Sequence, residues 1–408
     1  MVTYNYTAKN LQTGETVSAE VQAENQQAAA KVLIAQNLFP ITIEDKASNK
    51  GLDKLNLLNR VRSRDLVIFT RQLSTLINAG LPLMQSLRNV QAQISNKTLK
   101  TTTTDIITTV EGGTSFSEAL KHHPEIFDDV YVYLVAAGET SGTLDKVLER
   151  LADQQEKDAI IVRKIRGAMI YPAIVLVVVI LVVIFLLVTL LPQVAMLYQG
   201  LNLNLPLLTR ILENFSHFIL HFWWLTLILA GLAGYGLTRY FKTPPGKRVL
   251  DTAKLKSPVF GTLFEKVYMA RFTRTLSTLL ASGIPMLEGL AVTKRAIKNV
   301  FVEEATTRAS EKVKGGKALS KSLEVESVFL PLVPQMIAIG EQSGALDDML
   351  IKVAVFYEGD VDEAVKNLST TIEPVMMVVL GLIVGLVIAA VLLPIYGLVG
   401  SGAISNLH

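Results

Sequence analysis

Two glutamates stand out among the residues that could do chemistry, because each recurs in the same short motif. Glu139 lies in Gly-Glu-Thr-Ser-Gly and Glu341 in Gly-Glu-Gln-Ser-Gly, and an aspartate follows each by six positions, Asp145 or Asp347. Such carboxylates can bind a hard cation such as Ca²⁺ or act as general acids. The alternative is structural: each glutamate caps the N-terminus of the following helix, where its charge meets the helix dipole. We favour this structural interpretation.

The histidines offer one further spacing that suits a metal. His217 and His221 are four positions apart, so a helix would place both rings on one face. The adjacent Trp223 and Trp224 favour another interpretation, in which the histidines lie at a membrane–water interface. We therefore predict no metal site and no cofactor, and Glu139 is the one residue that we retain as a metal candidate.

No phosphate-binding loop is found that would let the chain use a nucleotide. Gly246-Lys247 lacks the earlier glycine of a P-loop and is followed by arginine, while Gly316-Lys317 is followed by alanine. Cysteine is absent, which excludes thiol chemistry and thiolate metal sites. We predict that the protein is not an enzyme and that a partner supplies any energy it needs.

Composition places part of this 408-residue chain in a membrane. Half of its residues are hydrophobic and only 18% are charged, which is too apolar for a soluble chain of this length. Three apolar runs are long enough to cross a bilayer as helices, since about 20 residues span roughly 30 Å. The spans are predicted at 169–192, 218–238 and 372–394, and the first and third end at Pro192 and Pro394.

Lysine and arginine flank these spans on one side only. Three basic residues between 163 and 166 precede the first span, and four between 239 and 248 follow the second. The segment 193–217 contains one arginine, and the tail after Pro394 contains no lysine or arginine. Because basic residues are retained in the cytosol, we expect a cytosolic N-terminus and an external C-terminus. The net charge is only +3 and spread along the chain, so no nucleic-acid partner is expected.

The two cytosolic blocks contain the same pattern twice. FTRQLSTL at 69–76 recurs as FTRTLSTL at 272–279, which is 203 positions later, and the offset becomes 202 at the GExSG motifs. An internal repeat of this kind predicts two homologous domains. We expect most of the repeated residues to shape the domain rather than to touch partners. They are Gly80, Pro82, Gly138, Glu139 and Gly142 in the first unit, and Gly283, Pro285, Gly340, Glu341 and Gly344 in the second.

The predicted fold is an all-α membrane protein with two homologous six-helix-bundle cytosolic domains, three transmembrane helices and a small N-terminal ββαβ module. Apolar residues in each repeat follow helical spacing, Gly80 is predicted to cap one helix, and Pro82 to be the first residue of the next. Strand-like alternation near the start predicts the ββαβ module. The predicted order is the module 1–46, a linker 47–60, the first helical domain 61–168, the first span, an outer loop 193–217, the second span, the second helical domain 239–371, the third span and an outer tail 395–408.

The spans give two further hints about function. The apolar runs at 173–191, 218–238 and 375–393 contain no carboxylate, which argues against a proton relay or a solute pump. Gly381 and Gly385 form a GxxxG pattern, and small residues of this kind let two membrane helices approach closely. A helix contact and a chance occurrence both stay open for these two glycines.

The paired motifs resemble those of a known family. FTRQLSTLINAGLP and FTRTLSTLLASGIP, each followed by GExSG, are similar to the type II secretion system protein F and type IV pilus assembly protein PilC family, and the similarity covers nearly the whole chain. It implies a platform protein of the bacterial inner membrane that couples a hexameric assembly ATPase to insertion or extraction of pilin-like subunits. The implied partners are this ATPase, pilin or pseudopilin transmembrane helices, other inner-membrane assembly proteins, and further copies of the chain in a dimer or tetramer.

The resemblance also raises the question of calcium. Some relatives carry calcium at a subunit contact in the first domain, and the matching positions here are Gln85, Glu139 and Thr143. Only Glu139 supplies a carboxylate, whereas Ca²⁺ is held by several oxygen ligands with a high charge. We therefore predict no stoichiometric calcium at this position.

Two other classes of function compete with the platform. An export permease would need polar residues on a shared span face, and the spans offer only Thr189, Thr226, Tyr235 and His221. A sensory receptor would need an external domain, and the outer segment 193–217 is short. Both alternatives rank below the platform, and the choice between a pilus, a secretion system and a DNA-uptake system stays open.

Overall fold

The computed structural model describes residues 2–10, 16–23, 26–35, 38–45, 60–200, 207–258 and 260–400. These residues form an N-terminal unit and a larger helical unit that begins at Ser63. The predicted linker 47–60 lies outside the described residues except for Arg60, as does the end of the predicted tail, 401–408.

The N-terminal unit contains an antiparallel three-stranded sheet with one helix. The strand order is β2-β1-β3, and Ala8 on the central strand and Leu33 on the helix are fully buried in a small core. The register between β1 and β3 shifts at Ala8, which lies opposite Pro40, a residue without a backbone N–H for the ladder. The elements are β1 (Val2–Asn10), β2 (Thr16–Ala23), α1 (Gln26–Ala35) and β3 (Leu38–Asp45).

Each sequence repeat forms six helices in the same order. The bounds of the third and fourth helices of the two repeats differ by 203 positions at both ends, which equals the sequence offset. The first repeat contains α2 (Ser63–Asn78), α3 (Leu83–Gln93), α4 (Lys97–Glu111), α5 (Phe116–Lys121), α6 (Asp129–Ser141) and α7 (Leu144–Gly200). The second contains α11 (Gly261–Ala281), α12 (Met286–Ile297), α13 (Val300–Lys314), α14 (Leu319–Glu324), α15 (Leu332–Ser343) and α16 (Leu346–Gly400).

The two repeats share a core contact as well as an element order. The rings of Phe69 and Phe127 are 5.9 Å apart in the first repeat, and those of Phe272 and Phe329 are 4.8 Å apart at the equivalent positions. Three of these side chains are at most 1% exposed, and Phe329 is also buried. Burial of such aromatic pairs dominates the energetics of a small helical core. The bundle architecture therefore follows from the repeat itself.

An additional helix, α10 (Pro244–Lys256), joins the second repeat to the preceding segment. Its buried Asp251 accepts a hydrogen bond from the backbone N–H of Val300 at 3.0 Å and pairs with Lys254 at 3.0 Å. A carboxylate at the first residue of α13 is stabilised by the positive end of that helix. This contact attaches α10 to the second bundle.

The last helix of each repeat continues from the bundle into an apolar segment. α7 has 57 residues and α16 has 55. Among the described residues, α7 and the Leu346–Leu386 part of α16 are the two helices long and apolar enough to cross a membrane. The predicted spans 169–192 and 372–394 lie within α7 and the full length of α16.

Proline does not end these helices, contrary to the sequence prediction. α7 continues through Pro172 and Pro192, and α16 continues past Pro394 to Gly400, so the predicted tail begins as helix. A proline removes one backbone hydrogen bond and clashes with the preceding turn. A long apolar helix accommodates a proline, because the turns on either side keep their own hydrogen bonds.

The segment between the two long helices also differs from the prediction. The predicted outer loop 193–217 is mostly helical, because it comprises the end of α7 and most of α8 (Leu207–His221). The predicted span 218–238 is broken at Phe222, whose φ of −114° and ψ of 31° separate α8 from α9 (Trp223–Tyr240). The apolar run thus combines the end of an amphipathic helix with a second, more uniformly apolar helix.

Candidate coupling site: the repeated glutamate corner and the long helices

Glu139 lies on α6 but caps the N-terminus of α5. Its two carboxylate oxygens accept hydrogen bonds from the backbone N–H groups of Phe116, at 2.6 Å, and Ser117, at 2.8 Å. The first N–H groups of a helix have no partner within it, and the helix dipole favours a negative charge there. Ser115 caps the same helix, because its hydroxyl accepts from the N–H of Glu118 at 3.3 Å. α5 is thus held by caps from two elements.

Glu341 makes the equivalent contact in the second repeat. Its carboxylate accepts from the N–H of Leu319 at 2.6 Å, and from the N–H of Ser320 at 3.4 Å and its hydroxyl at 2.5 Å. The residue before α14 is Ala318, which has no side-chain cap to offer. Glu341 is therefore the main cap of α14 in the second bundle.

The prediction that the glutamates cap the following helix is wrong. Glu139 and Glu341 cap a helix that precedes them in the chain, whereas Asp145 and Asp347 lie in the first turns of α7 and α16. Each motif thus supplies negative charge to two different helix starts. Spacing along the chain could not show this, because the contact joins residues about one helical hairpin apart.

The glycines of the motif let the glutamate-bearing helix turn sharply onto the long helix. A side chain at Gly138 would place its Cβ 3.1 Å from Cα of Leu144, and one at Gly340 would lie 2.8 Å from Cα of Leu346. The motif's last glycine, Gly142 or Gly344, has a φ of +69°, which favours glycine. We call this arrangement of close turn and capping glutamate the glutamate corner.

The metal interpretation finds little support in this arrangement. Within the described ranges no group of three or more histidine, aspartate or glutamate side chains is placed to hold a metal ion. Both carboxylate oxygens of Glu139 accept from N–H groups, Gln85 is exposed, and the Thr143 hydroxyl lies 2.7 Å from that of Ser141. His221 is exposed near the end of α8. The absence of calcium stays a prediction.

Gly80 and Gly283 close the first helical hairpin of each repeat. Both have positive φ, at 85° and 82°, and the residue after each donates to the carbonyl five positions back at 3.1 Å. This is the Schellman arrangement, in which glycine follows the helix cap. Pro82 and Pro285 are N-cap residues with extended backbone, so the prediction that Pro82 is the first helical residue is wrong by one position.

Polar contacts form part of the interface between the two bundles, next to an apolar cluster around Ile161 of α7. Along α7, Arg150 donates to the carbonyl of Ala281, and the side-chain amide of Gln154 donates to the hydroxyl of Thr275 at 3.1 Å. These contacts lie on one face of α7, because the two donors are four positions apart. Because the apolar cluster extends from α7 to α11 and α16, the interface combines hydrogen bonds with buried apolar contact. Sequence analysis did not identify this interface.

An arginine–glutamate pair recurs inside both bundles. Arg71 on α2 pairs with Glu156 on α7 at 2.7 Å, and Arg274 on α11 pairs with Glu358 on α16 at 2.6 Å. The hydrogen bond from the Arg71 guanidinium, opposed by desolvation and aided by its charge, lowers the pKa of Glu156 below its usual value. Each pair ties the first helix of a repeat to its long helix.

A second pair recurs with its carboxylate at the opposite position. His123 lies 2.8 Å from Asp105 in the first repeat, while the equivalent positions in the second hold Glu326 and Arg308, which are in contact at 2.5 Å. Lys312 also reaches Glu326, at 3.4 Å. The hydrogen bond from Arg308 is the largest of the effects that lower the pKa of Glu326. The 203-position offset aligns the two pairs in the sequence, but only the structure shows that the members of each pair are in contact.

The apolar segments of α7 and α16 enclose a groove. It has a volume of ≈ 240 Å³, and its walls are aliphatic, with almost no polar surface. Gly381 and Gly385 lie on the same helix, both are exposed, and a Cβ at either would meet nothing within 4 Å. The groove lining is Ile174, Val175, Val178, Val179, Val182, Val183 and Leu186 from α7, with Leu380 and Val384 from α16.

Comparison with known proteins agrees with the repeat and its long helices. The family model described as Type II secretion system (T2SS), protein F matches residues 69–192 and again 272–394, so each match covers most of one bundle and most of the long helix that leaves it. The chain belongs to this family. A second model, for the N-terminal domain of type II secretion system protein F, matches residues 1–44.

Individual members of the family with similar sequences act in two related machines. The Type IV pilus assembly protein PilC of Thermus thermophilus is 43% identical over 98% of this chain and 99% of its own length. The PilC protein of Pseudomonas aeruginosa is 38% identical over 86% of this chain and 95% of its own length. The Type II secretion system protein F of Xanthomonas campestris is 34% identical over 98% of this chain and 99% of its own length. The family is thus named for pilus assembly and protein secretion, and not for an enzymatic activity.

Proposed function

We propose that this protein is the inner-membrane platform of a type IV pilus or type II secretion machine, and that it transmits movement from a cytosolic assembly ATPase to pilin-like subunits. The observation that carries the proposal is the continuity of α7 and α16. α7 alone has 57 residues, which is about 85 Å of unbroken helix from bundle to apolar segment. A displacement of the bundle is therefore carried directly to the membrane.

The glutamate corner supports this role at the cytosolic end. It fixes α5 to α6 through Glu139, and Gly138 brings α6 against the first turn of α7. The ion pair between Arg71 and Glu156, both of which are partly exposed, adds a second contact between α2 and α7. A force on any of these helices thus reaches the base of α7, and the second bundle repeats the arrangement for α16 through Glu341.

The groove supports this role at the membrane end. Its aliphatic lining offers packing to an apolar helix but no hydrogen-bonding group, which suits the transmembrane helix of a pilin or pseudopilin rather than a polar solute. The open face at Gly381 and Gly385 is suited to close approach of a second helix, from a pilin or from another copy of the chain. The platform is not an enzyme in this proposal, because the ATPase supplies the energy.

The proposed topology has a cytosolic N-terminus and an external C-terminus. α7 and α16 cross the membrane outward, and α9 returns between them, with the basic residues 239–248 at its cytosolic end. The ββαβ module and both bundles then face the ATPase, and the platform acts as a dimer or tetramer alongside other inner-membrane assembly proteins.

Site-specific photocrosslinking tests the proposal in native cells. A photoreactive amino acid at Val182, in the groove, is expected to form an adduct with a pilin-like subunit. The matched control is Leu181, which neighbours it on α7 but is 61% exposed and does not line the groove. Copurification of the tagged chain should also recover an assembly ATPase. Equal adducts at both positions, or recovery without an ATPase and pilin-like proteins, would overturn the proposal.

A further inference from the structure

α8 divides its exposed surface into an apolar stripe and a polar stripe. The apolar stripe comprises Leu207, Ile211 and Phe218, whose exposed fractions are 75%, 64% and 44%, and it continues to Phe222 just beyond the helix. The polar stripe runs beside it and comprises Arg210, Asn214 and His221, all exposed. The two stripes follow helical spacing, so each occupies one continuous strip along α8.

The buried side of α8 is polar where described. α8 packs on α7 and α16, and its buried residues include Thr209, which is 1% exposed, and Ser216, which is 4% exposed. A helix that packs on a protein in water turns its apolar residues inward and its polar residues outward. At Thr209 and Ser216 a polar side chain is buried, whereas the apolar side chains of Ile211 and Phe218 are exposed. The exposed apolar side chains are therefore suited to an apolar medium.

The position of α8 in the chain identifies this medium. α8 follows the apolar part of α7 and precedes α9, whose Ile228, Leu229 and Leu232 are all more than half exposed. The apolar stripe is thus continuous along the chain with surfaces that the proposed function places in lipid. The rings of Phe218 and Phe222 are 5.5 Å apart and tilted by 39°. Trp224 is half exposed, and tryptophan is enriched at the edge of a bilayer.

We propose that α8 is an interfacial helix whose apolar stripe lies in the outer leaflet of the membrane. This inference rests on the proposed topology, in which α8 is on the external side. The adjacent polar stripe faces the headgroups and water, because a helix at the lipid–water boundary has one apolar and one polar edge. Lipid is the occupant that fits the stripe, because the stripe is continuous along the chain with the exposed apolar residues of α9, which the proposed function places in the membrane.

Spin labels on single cysteines test the proposal in the full-length chain reconstituted in liposomes. The natural sequence has no cysteine, so each variant carries one label. Ile211→Cys and Phe218→Cys report on the apolar stripe, and Asn214→Cys and His221→Cys report on the polar stripe. Leu181→Cys on α7 is the lipid reference, and the exposed cytosolic residue Thr140, replaced by cysteine, is the water reference. Two positions per stripe keep the test decisive if one variant does not fold.

For each spin label, the rate of collision with oxygen, which concentrates in lipid, is compared with the rate of collision with a water-soluble nickel complex. We expect the labels at 211 and 218 to behave as the lipid reference, at a depth of about 5–10 Å from the headgroup boundary, and those at 214 and 221 to behave as the water reference. Water-like labels at 211 and 218, with a lipid-like label at 181, would overturn the α8 inference alone. Labels at 211 and 218 that are shielded from both reagents would show that the apolar stripe contacts protein and not lipid, which would also overturn the α8 inference. A water-like label at 181 would overturn the membrane assignment and the proposed function with it.

Discussion

The carboxylate of Glu139 and the backbone N–H of Phe116 are 2.6 Å apart, although the two residues belong to different helices. Glu341 and Leu319 repeat this relationship at the same distance in the second bundle. The first glutamate thus holds α5 and the second holds α14, each next to the start of a long helix. The repeated contact explains why the motif has a glutamate between glycines without assigning the glutamate to catalysis.

Removal of either carboxylate should loosen one short helix and leave the other unchanged. A hydrogen bond to a charged group contributes about 1.5 to 3 kcal/mol, and Glu139→Ala removes two such bonds from α5. We expect faster amide hydrogen exchange in α5 for Glu139→Ala and in α14 for Glu341→Ala. Thr140→Ala is the matched control, because that exposed side chain bonds only within its own helix. Unchanged exchange in α5 of Glu139→Ala would contradict the capping role.

Glycine-to-alanine substitutions should distinguish a glycine that a close contact requires from a glycine that has open space around it. Gly340→Ala would place a Cβ 2.8 Å from the backbone of Leu346, so the corner between α15 and α16 must open, with a loss of about 1 to 3 kcal/mol in stability. Gly359→Ala is the control on α16, because nothing lies within 4 Å of that Cβ and alanine favours helix by roughly 0.5 to 1 kcal/mol. Thermal unfolding in detergent measures both. Equal melting temperatures for the two variants would refute the close-packing account.

The ion pair of Glu326 should make the second bundle sensitive to acid. The pKa of this carboxyl is lowered from 4.5, so its contribution is present above the unfolded value and is lost as the pH falls through the folded value. Glu326→Gln is expected to be less stable near neutral pH and to lose less stability between about pH 5 and pH 3. Denaturant unfolding at several pH values measures this, with the exposed Glu324→Gln as control. A parallel pH profile for wild type and Glu326→Gln would argue against the pair.

The opposite placement of the carboxylate in the two repeats permits a double-mutant cycle. Asp105→Arg removes the carboxylate that contacts His123, and His123→Glu places a second carboxylate beside Asp105, so each single variant is expected to destabilise the first bundle. The double variant recreates the arrangement of Arg308 with Glu326 and should recover about 0.5 to 3 kcal/mol as coupling energy. Additive effects in thermal unfolding would show that the two positions do not act as a pair.

The sequence predicted the repeat, the glycine turns and the path of the long helices, because these depend on local periodicity and on residues with special backbone preferences. It could not assign the partner of Glu139, since that contact joins separate helices. It ended the spans at Pro192 and Pro394 because a proline is a helix terminator in water, whereas long apolar helices tolerate it. Most of α8 lies in the predicted outer loop, although the spacing of its apolar residues already indicates a helix.

The central claim is that movement of the bundles is carried along α7 and α16 to the membrane groove. A variant with one cysteine in place of Leu181 and one in place of Leu382, both exposed on the apolar segments, allows the distance between two spin labels to be measured across the groove. We expect this distance distribution to shift when the purified assembly ATPase of the same machine hydrolyses ATP on the reconstituted protein, and to stay constant with a non-hydrolysable analogue. An unchanged distribution during ATP hydrolysis, with the ATPase demonstrably bound, would contradict the account.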